Sequence, residues 1–402
     1  MGSVTPIEPV RLLKIVPTLL CGGTENQFMT LGTSLNAGHF QVELACLRRL
    51  GPFIAEATRR SIPLHEYPID SFRSVRTIAQ QMRFASSIVR RRIEIVHAYN
   101  FYGNVFAIPP ARLAAAPVVI ASIRDRGPYL SPMQARVQRQ ICRVATCVLV
   151  NATSVKDWLL EQGYNPARIV VIPNGVDLTR FEGPFDRNAI RREFGLAPDV
   201  PLVTVVSRLN YLKGLEHFLQ AAALLANRFP QLRFLVVGET QLGDLQYLSV
   251  LTSLATRLGI GDKVIFTGLR ADVPALLASS TVSVMPSLNE ALSNVLLESM
   301  ASGAPTVATR VGGTPEAMVD QVTGLLVPPA DPAAMAAAIA RLLTDPEFAA
   351  ALGRAAHRVV EDRFSVGRMV EATEQLYMNL LAEKGARRVA PWSVTTSSRP
   401  LR

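Results

Sequence analysis

The chain lacks the features that mark membrane-spanning, disulfide-stabilised and zinc-centred proteins. Its four cysteines (Cys21, Cys46, Cys142 and Cys147) show no Cys-x-x-Cys or metal-type spacing, so we interpret them as reduced, mostly buried small hydrophobic residues. No uninterrupted apolar run comes near 18 residues, and no secretory signal stands at the start. We therefore expect a protein that stays in the cytoplasm and holds no structural zinc.

Three further absences exclude classes of function. No Asp-x-Asp pair occurs, so a divalent metal that bridges a diphosphate to two aspartates is not expected. No Gly-x-Gly-x-x-Gly follows the first predicted strand of either half, which argues against a dinucleotide-dependent oxidoreductase. Aromatic residues make up only 6% of the chain and no nucleic-acid-binding motif appears, so nucleic acid is not an expected partner.

The length and the hydrophobic pattern indicate two α/β domains. At 402 residues with 49% apolar composition, the chain exceeds what one hydrophobic core usually supports. Strand-like and helix-like segments alternate in both halves, which predicts two Rossmann-like domains with parallel sheets covered by helices. The predicted strands are 11–16, 41–46, 94–98, 117–122, 146–151, 169–172, 202–207, 233–238, 264–267, 281–285, 305–308 and 324–327.

The domain boundaries follow from composition. Asn, Gly, Pro and Asp crowd together over 174–199, between the two sets of strands. The expected organisation is a first domain over 1–180, a second over 181–364, an amphipathic closing helix over 365–385 and a disordered basic tail over 386–402.

Positive charge is concentrated in the first domain. Residues 1–180 carry 21 Lys and Arg against 11 Asp and Glu, whereas residues 181–402 carry 21 of each sign. Six arginines fall at helical spacing: Arg76, Arg83 and Arg90 in a helix predicted over 74–92, and Arg136, Arg139 and Arg143 in a helix capped by Ser131. Such stripes suit an anionic membrane surface, although ordinary solvated helix faces would show the same pattern.

The most informative segment is NEALSNVLLESMASGAPTVATRVGGTPE, residues 289–316. It predicts a loop, a helix that begins near Asn294, a second loop and a strand, and it carries Glu290 and Glu298 eight residues apart. A helix N-terminus favours an anion such as a diphosphate, and two carboxylates can each accept hydrogen bonds from sugar hydroxyls. If both residues were helical, they would lie roughly 12 Å apart.

This segment resembles the nucleotide-sugar signature of the family 4 glycosyltransferases, which are retaining enzymes of the GT-B fold. The matching positions are Glu290, Glu298, Ala301, Gly303, Pro305, Val307, Gly312, Gly313 and Glu316. Two positions depart from the usual pattern, because Ala291 stands where Gly is commoner and Ser299 where Ala is usual. Both exchanges replace one small residue by another.

The resemblance extends over most of the chain. Arg208 and Lys213 resemble the pair that binds the donor diphosphate, and such cations stabilise the phosphate charge that grows as the glycosidic bond breaks. Gly22 and Gly23 resemble the first strand-to-helix loop, where backbone approaches the donor phosphate and the acceptor. Residues 171–177 resemble the segment that leads into the interdomain linker, and the resemblance implies that the closing helix over 365–385 crosses back to the first domain.

The resemblance also implies roles for the remaining candidate residues. Glu290 would bind the transferred sugar and Glu298 the ribose. The N–H groups around Ser293, Asn294 and Val295 would meet the sugar, and the backbone from Gly268 to Arg270 the base. Many relatives have a histidine after the strand over 117–122, where this chain has Arg124 and Asp125, so either of these could take over its positioning role. His97 resembles another family position near the acceptor, although a lone histidine is more often structural.

We therefore expect a retaining, metal-independent glycosyltransferase without a cofactor. Its co-substrate would be a UDP-linked nucleotide-sugar, and its acceptor would be a lipid-linked saccharide of an extracellular polysaccharide. The enzyme would lie at the inner face of the membrane. Two alternatives stay open: a nucleotide-sugar epimerase of the same fold, and a non-catalytic nucleotide-sugar-binding component of a polysaccharide assembly complex.

Overall fold

The first part of the chain forms a seven-stranded, all-parallel sheet. The computed structural model describes residues 8–240 and 246–385. The strands of this sheet are β1 (Val10–Val16), β2 (Phe40–Cys46), β3 (Leu64–Glu66), β4 (Ile95–Tyr99), β5 (Val118–Ile123), β6 (Cys147–Val150) and β7 (Ile169–Val171), in the order β3-β2-β1-β4-β5-β6-β7. Most of their residues are buried on both faces, as in parallel sheets sandwiched between helices.

The second part forms a six-stranded parallel sheet of the same type. Its strands are β8 (Leu202–Val206), β9 (Arg233–Val237), β10 (Val264–Gly268), β11 (Val282–Met285), β12 (Thr306–Thr309) and β13 (Leu325–Val327), in the order β10-β9-β8-β11-β12-β13. The prediction of two Rossmann-like domains with parallel sheets is therefore confirmed. The boundary near residue 180 stays a prediction.

Helices cover both sheets. Those before residue 180 are α1 (Gly23–Ser34), α2 (Phe53–Arg59), α3 (Val75–Arg91), α4 (Asn100–Leu113), α5 (Pro132–Cys142) and α6 (Thr153–Glu161). Those after it are α7 (Arg187–Glu193), α8 (Leu215–Arg228), α9 (Tyr247–Arg257), α10 (Val273–Ser279), α11 (Asn294–Ala301), α12 (Thr314–Ala317), α13 (Pro332–Thr344), α14 (Pro346–Arg363) and α15 (Val366–Glu383). Ser131 caps α5 through a complete capping box with Gln134, which explains why that helix begins at Pro132.

The last helix, α15, packs on the first sheet although it follows the second in sequence. Tyr377, Leu380 and Leu381 are buried in one apolar cluster with residues of β1, β4, β5 and β6. The chain therefore crosses between the domains twice. The two crossing segments lie side by side, since the Val176 N–H donates to the Phe364 carbonyl at 2.8 Å and the Val366 N–H donates to the Val176 carbonyl at 3.0 Å.

Two features bear on the membrane prediction. The basic tail predicted over 386–402 lies outside the described residues. Among the helices that the structure describes, none combines the length and the apolar character needed to cross a bilayer.

Candidate active site

The candidate site lies in the cleft where the carboxyl ends of the two sheets face each other. In each sheet the chain order reverses next to the first strand, between β1 and β4 and between β8 and β11. Open α/β sheets bind ligands at such switch points. Two cavities of about 370 Å³ and about 650 Å³ occupy the cleft, and Gly22 and Asn294 line both.

Lys213 and Glu290 form an ion pair in the smaller cavity. Lys213 Nζ donates to Glu290 Oε1, which also accepts from Ser287 Oγ at 2.8 Å. Gly214 permits this approach: its φ is +63°, and a Cβ there would lie 2.1 Å from the Pro286 carbonyl oxygen. The structure therefore joins two residues that the sequence assigned to different groups of one ligand, the diphosphate and the sugar.

The N-terminus of α11 opens into the same cavity. Ser293 caps the helix, because its Oγ accepts from the Leu296 N–H at 3.3 Å. The first N–H groups of a helix lack intrahelical acceptors, and Asn294 and Val295, which carry two of them, line the cavity. This arrangement gives the cleft a set of donors and a positive dipole end suited to an anion.

Asn294 also links the two halves of the cleft through its side chain. Its Nδ2 donates to the Gly23 carbonyl at 3.0 Å, and its Oδ1 accepts from Asn174 Nδ2 at 2.7 Å and from Gln27 Nε2 at 3.3 Å. Asn174 in turn accepts from Arg124 and donates to the Leu292 carbonyl. Sequence reasoning missed Asn174 and Gln27: an Asn between Pro and Gly indicates a turn, and a Gln inside a helix gives no signal.

The first-domain wall of the cleft carries two carboxylates near Arg208. Glu25 and Asp125 both line the smaller cavity with Arg208. Desolvation raises the pKa of each carboxyl group, and the charge of Arg208 counteracts that rise. The Glu25 carboxylate lies over Gly22, where a Cβ would be 2.2 Å from Glu25 Oε2. Glu25 was not a predicted site residue; the signal that could have found it is an acidic side chain in the first turn of α1, directly after the Gly22-Gly23 loop.

Glu298 lines the larger cavity, apart from Glu290. Glu298 lies within α11 whereas Glu290 lies in the loop before it, so the condition for the spacing of about 12 Å, that both residues are helical, is not met. Arg180 forms an ion pair with Glu298 at 3.5 Å. Burial raises the pKa of Glu298, and Arg180 opposes that rise.

The predicted base-binding segment, Gly268 to Arg270, meets the larger cavity only through Arg270. Arg270 lines it, but its guanidinium donates to Asp272 at 2.9 and 2.7 Å and also binds Glu193. These contacts fix the side chain, which leaves mainly backbone groups for a ligand. Gly268 is exposed and lines neither cavity; its carbonyl accepts from the Gly238 N–H at 2.9 Å.

His97 lies beneath the cleft and lines neither cavity. It is fully buried, and its Nδ1 is 2.7 Å from the hydroxyl of Tyr377 on α15. Burial lowers its pKa well below the usual range, and the charges of Lys14 and Arg124 lower it further, so His97 is neutral. Its role toward an acceptor stays a prediction.

Glu316, the last residue of the signature, reaches across to the first domain. Its carboxylate accepts from the N–H groups of Thr153 at 2.7 Å and Ser154 at 2.8 Å, at the start of α6. Ala152, the N-cap residue of α6, offers no side-chain acceptor of its own. The second domain thus caps a helix of the first.

Together these groups could bind a ligand that carries both phosphate groups and sugar hydroxyls. Cations and helix N–H groups suit phosphates, and the carboxylates suit sugar hydroxyls. Across residues 8–240 and 246–385, no cluster of three or more His, Cys, Asp or Glu side chains could hold a metal ion.

Two family models match the chain in succession. The model described as "Glycosyltransferase Family 4" matches residues 21–180, and the one described as "Glycosyl transferases group 1" matches residues 186–359. Sequence relatives named D-inositol 3-phosphate glycosyltransferase include those of Segniliparus rotundus (34% identity over 65% of this chain and 62% of the relative) and Mycobacteroides abscessus (37% over 48% and 43%). The chain thus spans about half the length of the relatives it matches.

Solved structures share the fold. Anabaena HepE in complex with UDP-glucose superposes with a TM-score of 0.83 at 22% identity, over 92% of this chain and 99% of HepE. Sucrose-phosphate synthase of Thermosynechococcus elongatus gives 0.80 at 22% identity, over 93% and 100%. WaaG, a glycosyltransferase involved in lipopolysaccharide biosynthesis, gives 0.71 at 18% identity, over 90% and 99%.

Proposed function

The chain belongs to the family 4 glycosyltransferases of the GT-B fold, and from that premise we propose that it transfers a sugar from a nucleotide-sugar to an acceptor hydroxyl with retention of configuration. The observation that carries the proposal is the cleft itself. Arg208, the Lys213–Glu290 pair and the N-terminus of α11 face the first-domain loop at Gly22 and Gly23 across one cavity.

In the proposed reaction the nucleotide diphosphate lies against Arg208, Lys213 and the N–H groups of Asn294 and Val295. As the glycosidic bond breaks, the leaving phosphate gains negative charge, which preorganised cations and N–H groups stabilise. These groups supply the charge that a divalent metal supplies elsewhere, so we propose a metal-independent reaction. Glu290 holds the transferred sugar and Glu298 the ribose.

We propose a UDP-linked donor. HepE, which has the same fold, was crystallised with UDP and with UDP-glucose. In this chain the larger cavity, with Glu298 at one side and the backbone near Arg270 at the other, would hold the nucleoside.

For the acceptor we propose a lipid-linked saccharide, because the net positive charge of the chain lies wholly in the first domain. That domain would lie against the anionic inner face of a membrane, with α3 as the helix that contacts the lipid. The names of the sequence relatives support a second acceptor class, an inositol phosphate.

An incorporation assay separates these possibilities. UDP- and GDP-linked sugars are each offered with a lipid-linked saccharide extract, with D-inositol 3-phosphate and with no acceptor, in the presence of EDTA. Transfer to the lipid extract supports the proposal, and transfer to the inositol phosphate selects the second acceptor. An isomerised donor without transfer would identify an epimerase, whereas donor binding without turnover would indicate a non-catalytic protein.

A further inference from the structure

A third cavity, of about 360 Å³, lies in the first domain and shares no lining residue with the cleft. It is formed by α3, by the edge strand β3 and by the residue after β3. Its lining consists of His65, Tyr67, Arg83, Ser87, Arg90 and Arg91. Three arginines and one histidine therefore surround a space of a few hundred cubic ångströms.

The charge in this cavity is only partly neutralised. Glu43 pairs with Arg91 and with His65, whose Nε2 is 2.7 Å from Glu43 Oε2. Burial alone would raise the pKa of Glu43, but the hydrogen bond with His65 and the charge of Arg91 lower it overall, so Glu43 stays ionised. Within the described part of the chain, Arg83 and Arg90 have no carboxylate within 4 Å. The cavity thus keeps a net positive charge.

The walls of the cavity are held in place by their own contacts. Arg91 Nη2 donates to Ser87 Oγ at 2.9 Å, and Ser87 Oγ lies 2.9 Å from the hydroxyl of Tyr67. The Arg83 guanidinium stacks over the Tyr67 ring, 5.3 Å from its centroid. Arg83 Nη1 donates to Gln80 Oε1 at 3.3 Å, and the other N–H groups of the guanidinium leave an edge that favours planar, two-pronged binding of oxyanions.

We propose that this cavity binds a phosphate-bearing group, a phosphomonoester or a diphosphate, outside the transfer cleft. An exposed apolar stripe on α3 favours a lipid headgroup as its source. Val75, Ile78, Met82 and Val89 share one face of the helix at helical spacing and are 49–81% exposed, beside the face that carries Arg83 and Arg90. A free polyphosphate would offer the same chemistry without using the stripe. The inference does not depend on the transferase activity.

The test compares two double variants of the whole chain that lose equal charge. Arg83→Gln with Arg90→Gln removes the two unpaired cations of the cavity, whereas Arg76→Gln with Arg136→Gln removes two exposed arginines that do not line it. Inorganic pyrophosphate is titrated calorimetrically into each. Because the cleft also attracts pyrophosphate, Arg208→Ala identifies the cleft site, and the cavity variant should lose at least tenfold in affinity at the other site.

Vesicles then distinguish the sources of phosphate. Wild-type protein and the control variant should prefer phosphatidic acid over phosphatidylglycerol at matched surface charge, and the cavity variant should bind both equally. If the cavity variant loses both pyrophosphate binding and the vesicle preference, the phosphate comes from a lipid headgroup. If it loses pyrophosphate binding but keeps the wild-type vesicle behaviour, the cavity binds a free phosphate. Arg83→Lys with Arg90→Lys keeps the positive charge but not the planar guanidinium groups, and it should also lose the preference for phosphatidic acid.

The inference is wrong if the cavity and control variants bind pyrophosphate with equal affinity and also show the same preference between the two kinds of vesicle. The variants are surface substitutions, and thermal melting checks that each is folded. Sugar transfer to a soluble acceptor, measured in parallel, reports on the proposed function separately, since neither Arg83 nor Arg90 lies in the cleft.

Discussion

At the scale of single residues, Lys213 and Arg208 place two cations where the leaving diphosphate would gain charge. We expect Lys213→Ala and Arg208→Ala each to lower turnover by roughly two to three orders of magnitude, as the loss of a transition-state charge partner does. Glu290 keeps a hydrogen bond from Ser287 in the lysine variant, so the fold should persist. Steady-state kinetics and melting curves check both, with the distant Lys156→Ala as the control. Wild-type turnover in both variants would contradict the diphosphate assignment.

The two signature glutamates should differ in effect because they line different cavities. Glu298→Gln should weaken UDP binding by about 1.5–3 kcal/mol, the usual contribution of a hydrogen bond to a charged group. Glu290→Gln should instead lower turnover, because the sugar that we propose it holds is the part of the donor that moves. Calorimetry with UDP and kinetics with the intact donor separate the two. Weaker UDP binding in the Glu290 variant alone would mean that the roles are reversed.

The raised pKa of Glu25 predicts a stability cost at neutral pH. Its folded pKa lies above the unfolded one, so between the two values the folded state binds more protons. The free energy of unfolding therefore falls as pH rises through that window, and the full cost persists above it. Glu25→Gln should melt at a higher temperature than wild type at pH 7, and the difference should vanish in acid. A lower melting temperature at pH 7 would show that the ionised carboxylate stabilises the fold.

Sequence reasoning found the charged residues of the candidate site better than its neutral ones. Arg208, Lys213 and Glu290 were predicted by motif, and the structure brings all three to one cavity. Asn174 and Gln27 were not predicted, because their contacts with Asn294 and with the Gly175 backbone join segments more than 100 residues apart. Spacing along a sequence carries no information on such a pair until the fold is known.

At the scale of elements, the twelve predicted strands are all present within a few residues of their expected ends. One further strand, β3, was not predicted, because it has three residues, Leu64–Glu66, and only one of them is apolar. Tertiary pairing with β2 makes it a strand. The loop that carries Glu290 and the start of α11 at Asn294 were, by contrast, predicted correctly, because the turn-like residues before Asn294 give a local signal.

The cap that Glu316 provides for α6 predicts an effect on both stability and function. Glu316→Gln should cost about 1 kcal/mol of stability, as the loss of an N-cap does, and should also lower turnover because the cap joins the two domains. Ser131→Ala is the matched control, since Ser131 caps α5 within one domain. It should cost similar stability and leave turnover unchanged. Equal turnover of the two variants would show that the contact is purely structural.

At the scale of the whole molecule, the two domains cannot be treated as independent pieces. Helix α15 follows the second domain but buries Tyr377, Leu380 and Leu381 against the first sheet. A fragment that ends near residue 180 would expose that apolar face. The effect of the first domain's positive charge on membrane binding must therefore be tested in the whole 402-residue chain.

The last prediction uses the two arginine stripes of that chain. On α5, Arg139 donates to the Gln162 carbonyl and Arg143 to Gln140, and the helix carries one strongly exposed apolar residue, Met133. On α3 the arginines lie beside the stripe formed by Val75, Ile78, Met82 and Val89. We therefore expect α3 to face the lipid.

Reversal of Arg76, Arg83 and Arg90 to Glu should abolish most binding to anionic vesicles, and reversal of Arg136, Arg139 and Arg143 should weaken it only through net charge. Each lost cation near an anionic surface costs roughly 1 kcal/mol, and the reversed charge adds repulsion. Wild-type co-sedimentation should fade as salt rises toward ~0.5 M, because the screening length shortens from about 30 Å at 0.01 M toward about 3 Å at 1 M. If both triple reversals co-sediment like wild type, the arginines serve a soluble ligand and the membrane proposal fails.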